Sequence, residues 1–307
     1  MSARRVHVDT DPGLDDLLAL ALAFASPELS VEGVTTVAGN AALPIVTDNA
    51  RRFCALAGSD VPIGVGASAP LALTPIDASH FHGKDGRRGA PLPEVAEARL
   101  APARDVLRHS LVSRGVEAVI ALGPLTNVAA LAVEDPRLFA SAEVVWMGGT
   151  LGAGNVTLKA EYNAFADPRA LRLLLASGVR VRMVGLEVTS RVRFAERELA
   201  ALDFGAAPRG RTLTALVRGL AAAQASLSGE GVAVMHDPSA VAAALAPADF
   251  AFAARSLEVC DREGAERGRI RARGAPGGTV EYAIDVRAED VKASLVERLV
   301  RWAERGP

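Results

Sequence analysis

Cysteine is scarce in this chain: Cys54 and Cys260 are the only two in 307 residues. They form neither a disulfide framework nor a metal-ligand spacing, so a reduced, cytoplasmic setting is expected. Charge of one sign is lacking too. The formal net charge is −2, which argues against nucleic acid or an anionic membrane as the main partner. No uncharged apolar run reaches the length of a membrane span. The basic start, Met1 to Arg5, leads into an apolar run that Asp9 breaks at once, so it does not read as a signal peptide. No internal repeat and no low-complexity linker divides the chain. With 50% of residues hydrophobic, a large core is available, and one domain over 1–307 is expected.

What is present is an alternation of strand and helix patterns. Val6 to Asp9, Val31 to Val37 and Val61 to Val65 read as strands, with helical patterns over Asp15 to Ala25 and Ala42 to Ala57 between them. This opening predicts a mostly parallel sheet with right-handed crossovers and flanking helices, an α/β fold. Gly66 to Pro102 is proline-rich and aperiodic and reads as a long irregular insertion, a place where function is common. The alternation then resumes, with strands at Ala118 to Leu122, Glu143 to Met147 and Val179 to Val184. Thr212 to Ser228 and Pro238 to Leu245 read as helices. Phe250 to Cys260, Arg267 to Arg273 and Val280 to Val286 read as a small antiparallel C-terminal annex, closed by an amphipathic helix through Val291, Leu295, Leu299 and Trp302.

The densest chemistry lies in Asp9-Thr10-Asp11-Pro12-Gly13-Leu14-Asp15-Asp16, where four of eight residues are aspartates. Like charges repel and are costly to bury together. Pro12 and Gly13 tighten the turn between strand and helix, so the carboxylates cannot splay apart. The simplest relief is a bound cation, and oxygen-only ligands favour Ca²⁺ or Mg²⁺ over zinc. The plainer alternative is a helix start in which Asp15 and Asp16 complement the dipole.

Other polar clusters fall at successive strand ends: Gly39-Asn40, Gly123-Pro124-Leu125-Thr126-Asn127, Met147-Gly148-Gly149, then Glu187 and Thr189. Ligands of open parallel sheets bind at that edge. Asn155, Glu161 and Asn163 offer donors and acceptors suited to sugar hydroxyls, or belong to an ordinary surface loop. His236-Asp237-Pro238 opens a helix, either as an aspartate cap followed by proline or as something functional. His82 and His236 are the candidates for proton transfer; His7 and His109 read as structural or exposed. Gln224 falls on the apolar stripe of its helix, as a satisfied core amide or a ligand contact.

Taken in order, these stretches resemble the nucleoside hydrolase family, the inosine-uridine-preferring N-ribohydrolases. Asp9 to Asp16 is similar to its N-terminal signature; Val37-Ala38-Gly39-Asn40, Gly123 to Asn127, Met147-Gly148-Gly149 with Asn155, Glu161 and Asn163, and His236-Asp237-Pro238 match in order and spacing. The resemblance implies a Ca²⁺ site from Asp11, Asp16, Asp237 and the main-chain carbonyl of Leu122. It implies a ribose gripped by Asp15, Asn40, Asn155, Glu161 and Asn163, with Met147 packed against it. Asp11 would take a proton from the attacking water, and His236 would be the donor to the departing base, with His82 and Gln224 as further base contacts. A small-molecule nucleoside partner and a homodimer or homotetramer are also implied, with pyrimidine or inosine-uridine preference.

Some residues depart from the family pattern. Arg87 and Arg88 follow Gly86, where smaller or apolar residues are usual, and neither tyrosine, Tyr162 or Tyr282, lies on the helix near Ser228. A hydrolase of a modified N-riboside is therefore one alternative, and a non-catalytic calcium-dependent nucleoside-binding protein another. A phosphatase of the haloacid dehalogenase type also opens with Asp-x-Asp, but Pro12 and Gly13-Leu14-Asp15-Asp16 do not fit it.

Overall fold

The computed structural model describes residues 3–273 and 280–305. In chain order the strands are β1 (Arg4–Thr10), β2 (Leu29–Thr36), β3 (Ile63–Val65), β4 (Ala101–Pro102), β5 (Ala118–Ala121), β6 (Glu143–Met147), β7 (Val181–Val184), β8 (Arg193–Phe194), β9 (Ala233–Val234), β10 (Phe250–Val259), β11 (Ile270–Arg273) and β12 (Val280–Val286). The helices are α1 (Leu14–Ala25), α2 (Leu43–Ala57), α3 (Ser79–His82), α4 (Ala103–Val112), α5 (Thr126–Glu134), α6 (Tyr162–Ala166), α7 (Pro168–Ala176), α8 (Leu186–Thr189), α9 (Glu196–Ala201), α10 (Pro208–Ser228), α11 (His236–Leu245) and α12 (Ala288–Glu304).

One sheet runs β11-β10-β12-β7-β6-β5-β1-β2-β3-β4, and β8 pairs with β9 separately. From β1 the chain winds outward to β4, then returns to place β5 on the other side of β1, parallel to it (Val8 opposite Ile120). The crevice beyond the carboxyl ends of β1 and β5 is thus the topological switch point, where open α/β sheets bind ligands. The loop Asp9 to Asp16 leaves β1 there, and Leu122-Gly123 leaves β5.

Both faces of the sheet are covered. On β5, Ala118 and Ile120 join the core shared with α1, while Val119 and Ala121 join the opposite core with Trp146 and Leu171. Alternation of side chains along a strand produces this division. Leu14 to Ala23 of α1 are all buried, because α1 packs against α10, α11 and α12 as well as the sheet. Burying each leucine there contributes about 1.5–3 kcal/mol. Among the described residues, no helix is long and apolar enough to cross a membrane.

The structure refines three expectations. The antiparallel strands are present, but β12 pairs parallel with β7, so they continue the central sheet. Tyr282 and Ala283 on β12 are buried in the cores on opposite faces of the sheet, as suits an interior strand. The segment 66–102 contains α3 and the short β4. Helix α11 starts at His236 with Met235 at its cap, so Asp237 is not a cap and its carboxylate is free for the crevice.

Candidate active site

The floor of the crevice is built by backbone and side-chain donors together. Asp16, in the first turn of α1, accepts from Thr10 Oγ1 (2.5 Å), Asp11 N (3.2 Å), Gly13 N (3.0 Å) and Asn40 Nδ2 (2.7 Å). The helix-start reading of Asp16 is therefore partly right, since it accepts from the N–H of the cap residue Gly13, yet three further donors exceed what a helix start needs. Asp11 Oδ2 accepts from Asn40 N at 2.7 Å. Its other oxygen, Oδ1, is buried and has no partner among the described residues. A Cβ on Gly39 would overlap Asp11 Oδ2, and one on Gly123 would overlap Oδ1. Two glycines therefore make the slot for this carboxylate.

Asp15, Asp16 and Asp237 bring carboxylate oxygens within 4.8 Å of one another and could hold a metal ion. Asp11 lies outside that mutual set but adjoins Asp16. Burial first, then the Asp16 charge, holds the Asp11 carboxyl well above the usual range. The same causes push Asp15 up to about 8. Asp237 is raised by burial and by Asp15, Asp16 and Asp11. Four carboxyl groups so close are mutually destabilised when ionised, and a cation removes that strain. The orphaned Asp11 oxygen and the all-oxygen donor set fit a hard divalent ion. Leu122 O faces the same floor and accepts from Asn163 Nδ2 at 2.7 Å.

Above the floor is a cleft of about 700 Å³ lined by Asp15, Asn40, His82, Leu122, Met147, Asn155, Glu161, Tyr162, Asn163, Gln224, His236 and Asp237 among others. It brings together the predicted residues except Asp11 and Asp16, which lie beneath it. Asn163, on α6, spends its amide hydrogens on Leu122 O and Met147 O (3.1 Å), leaving its oxygen for the cleft. Glu161 accepts three backbone N–H groups, from Gly149, Asn163 and Ala164, at 2.7 to 3.1 Å. Burial raises its pKa while those donors lower it. Asn155 is exposed and its oxygen accepts from Tyr162 N at 2.9 Å. A second, larger depression of about 950 Å³ lies between α7 and β10–β11, is rich in arginine and shares none of these groups.

The histidines differ in their partners. His82 Nδ1 accepts from Leu14 N at 3.1 Å, so it caps α1, and burial lowers its pKa to about 4. His236 Nδ1 meets Thr189 Oγ1 at 2.8 Å, and burial lowers its pKa to about 4. His7 is fully buried between Ser110 and Thr35, and His109 is exposed. Gln224 is half-buried on the cleft wall and contacts Ser228; Leu227 beside it is 62% exposed, so this end of the stripe faces the cleft and not the core. Arg87 pairs with Asp85, and Arg88 donates to Phe81 O and His80 O; neither lines the cleft.

The sequence reading gave no role to Tyr162, whose hydroxyl donates to Gly39 O at 2.7 Å and so ties α6 to the loop of Asn40. It also missed Arg193 and Glu230 on the cleft wall. Glu187 receives Leu151 N and Gly152 N and holds the loop after β6. The signal for Glu187 was its place just after β7; Arg193 and Glu230 carried none.

Residues 6–294 match the model of the inosine-uridine preferring nucleoside hydrolase family. The chain belongs to that family. It is 34% identical over 249 residues to an uncharacterized protein of Schizosaccharomyces pombe, covering 79% of this chain and 80% of the relative. It is 40% identical over 200 residues to the non-specific ribonucleoside hydrolase RihC of Klebsiella pneumoniae, covering 64% of this chain and 66% of that one. A plant nucleoside hydrolase superposes with a TM-score of 0.89 at 29% identity, over 97% of this chain and 99% of that one. A purine-preferring ribonucleoside hydrolase from Gardnerella vaginalis gives 0.90 at 27% identity, over 98% and 99%. The chain is a nucleoside hydrolase, and the acidic crevice is its candidate active site.

Proposed function

We propose that this enzyme hydrolyses the N-glycosidic bond of ribonucleosides in a Ca²⁺-dependent reaction, with pyrimidine or inosine-uridine preference. The observation that carries the reading is the buried, partnerless Asp11 Oδ1 in a crowd of carboxyl groups under a polar cleft. Asp11, Asp16, Asp237 and Leu122 O would hold the ion, with Asp15 beside them. When bound, it supplies positive charge that offsets the carboxylates and acidifies a water.

The rest of the chemistry belongs to the protein. As the C1′–N bond breaks, positive charge grows on the ribose, and the surrounding carboxylates favour that charge. Asp15, Asn40, Asn155, Glu161 and Asn163 orient the sugar, with Met147 beneath it. Asp11 accepts a proton from the attacking water, whose oxygen bonds to C1′. The bonding pair leaves with the base, and His236 is the donor that meets it. His82 and Gln224 stand along the base end. The two free cysteines fit a reducing, cytoplasmic setting. A homodimer or homotetramer is expected, and sedimentation reads it directly.

The test is ribose release from uridine, cytidine, inosine, adenosine and p-nitrophenyl riboside, each with Ca²⁺ and after chelation. Hydrolysis that vanishes on chelation and is strongest with uridine or inosine is the expected result. Calcium binding without ribose release from any substrate would favour a nucleoside-binding protein.

A further inference from the structure

Thr189 closes α8 and is wholly buried. Its hydroxyl lies 2.8 Å from His236 Nδ1, across 47 residues of sequence. Among the described residues the hydroxyl has no other partner. Its backbone N–H goes to Gly185 O, so the side chain is not needed to finish the helix. A buried hydroxyl hydrogen without an acceptor is costly, and the only acceptor in reach is Nδ1. The hydroxyl therefore donates, and Nδ1 accepts. In a neutral imidazole the other nitrogen then carries the hydrogen. His236 lines the cleft, and its Nε2 has no hydrogen-bond partner among the described residues.

We propose that Thr189 is a positioning residue that fixes the Nε2–H tautomer of His236, so that an N–H is aimed at the departing base. The inference rests on the reading of His236 as the donor to the base. The hydrogen bond from Nε2 strengthens as the C1′–N bonding pair moves onto the base, and no proton has to leave the ring in that step. The opposite tautomer would aim a lone pair at the growing negative charge and oppose cleavage. Thr189 touches neither substrate nor base and acts only through the imidazole. The dependence falls on substrates whose base leaves poorly. A leaving group stable as an anion, p-nitrophenolate, is largely indifferent to it.

The test has two parts. The first is a long-range proton–nitrogen NMR correlation on ¹⁵N-histidine-labelled protein, with the His236 signals identified by their loss in His236→Gln. A protonated Nε2 and a bare Nδ1 are expected; a protonated Nδ1 overturns the proposal. The second is kinetics of Thr189→Val and Thr189→Ser beside His236→Ala, on uridine and on p-nitrophenyl riboside. Thr189→Val should lower kcat on uridine by about 10- to 100-fold with KM within about threefold, a portion of what general acid–base groups usually contribute. On p-nitrophenyl riboside it should stay within about threefold of the parent, and Thr189→Ser should restore uridine turnover. Equal loss on both substrates would mark Thr189 as merely structural. A normal Thr189→Val with an impaired His236→Ala would overturn the Thr189 role alone. A normal His236→Ala would remove the donor reading itself, and the Thr189 role with it.

Discussion

The floor and the wall of the cleft are built differently. On the floor, Asp11, Asp16 and Asp237 are nearly excluded from solvent, and Asp16 alone receives four hydrogen bonds. Those residues sit at the ends of β1 and the starts of α1 and α11, all pinned by the core. On the wall, Gln224 and Leu227 lie near the exposed end of α10, and Arg193 sits on the two-residue β8. On the proposed function the floor would face the part that all ribonucleosides share, so rigidity there would cost no substrate range. The wall would face the part that varies, and an exposed, weakly braced wall would tolerate variation. Precision is concentrated where fixed backbone donors are available.

Breaking the floor should have the largest effect. Asp11→Ala is expected to lower kcat by about 10³-fold or more, as loss of a proton acceptor beside the ion implies. Near-normal turnover in steady-state assays would remove Asp11 from the mechanism. His236→Ala stands between the two regions. Its expected cost is about 10²- to 10³-fold on uridine and under about tenfold on p-nitrophenyl riboside. Identical losses on the two substrates would cancel the leaving-group role.

The floor also makes a prediction about stability. Asp15 has a folded pKa of about 8, and Asp11 and Asp237 are raised as well. A carboxyl raised on folding favours the folded state while protonated. That contribution is complete below the unfolded value of about 3.9 and is lost as pH rises through the folded value. Metal-free protein should therefore lose Tm between about pH 7 and 8. His7, His82 and His236, lowered from 6.5 to about 3, 4 and 4, oppose that fall only below about pH 7, where the unfolded state still binds their protons. Calcium should raise Tm more at pH 8 than at pH 6.5, since ligand binding stabilises by mass action and the ionised cluster binds it better. A calorimetric Tm that rises with pH in the metal-free protein would contradict the crowding argument. The smallest effect belongs to the wall: Gln224→Ala should change kcat/KM by about two- to fivefold, unequally between uridine and inosine, with stability unchanged.

Much of the floor was legible because its residues are local in sequence. Asp9 to Asp16 sits between an apolar strand pattern and an apolar helix pattern, and both patterns formed. Strand ends marked by glycine and asparagine also came out where expected, since glycine is needed where Asp11 wedges between Gly39 and Gly123. The wall was much less legible. Thr189 and His236 meet only after β7 and α11 pack together, and no periodicity links them. Gln224 read as a stripe position, yet its helix outruns the core, so the same spacing faces a cleft. Arg87 and Arg88 suggested an altered base site, but both bond within their own loop and neither lines the cleft. The parallel pairing of β12 with β7 depends on contacts between residues about 100 apart in sequence, which hydropathy alternation does not encode.

The most direct test of the account is calorimetric titration of Ca²⁺ into chelator-treated protein at neutral pH, for the parent chain and Asp11→Asn. One ion bound per chain in the parent, with affinity sharply reduced in the variant, is the predicted result. No binding to the parent, or unchanged binding to Asp11→Asn, would contradict the claim that the crowded carboxylates and the partnerless Asp11 oxygen form a cation site.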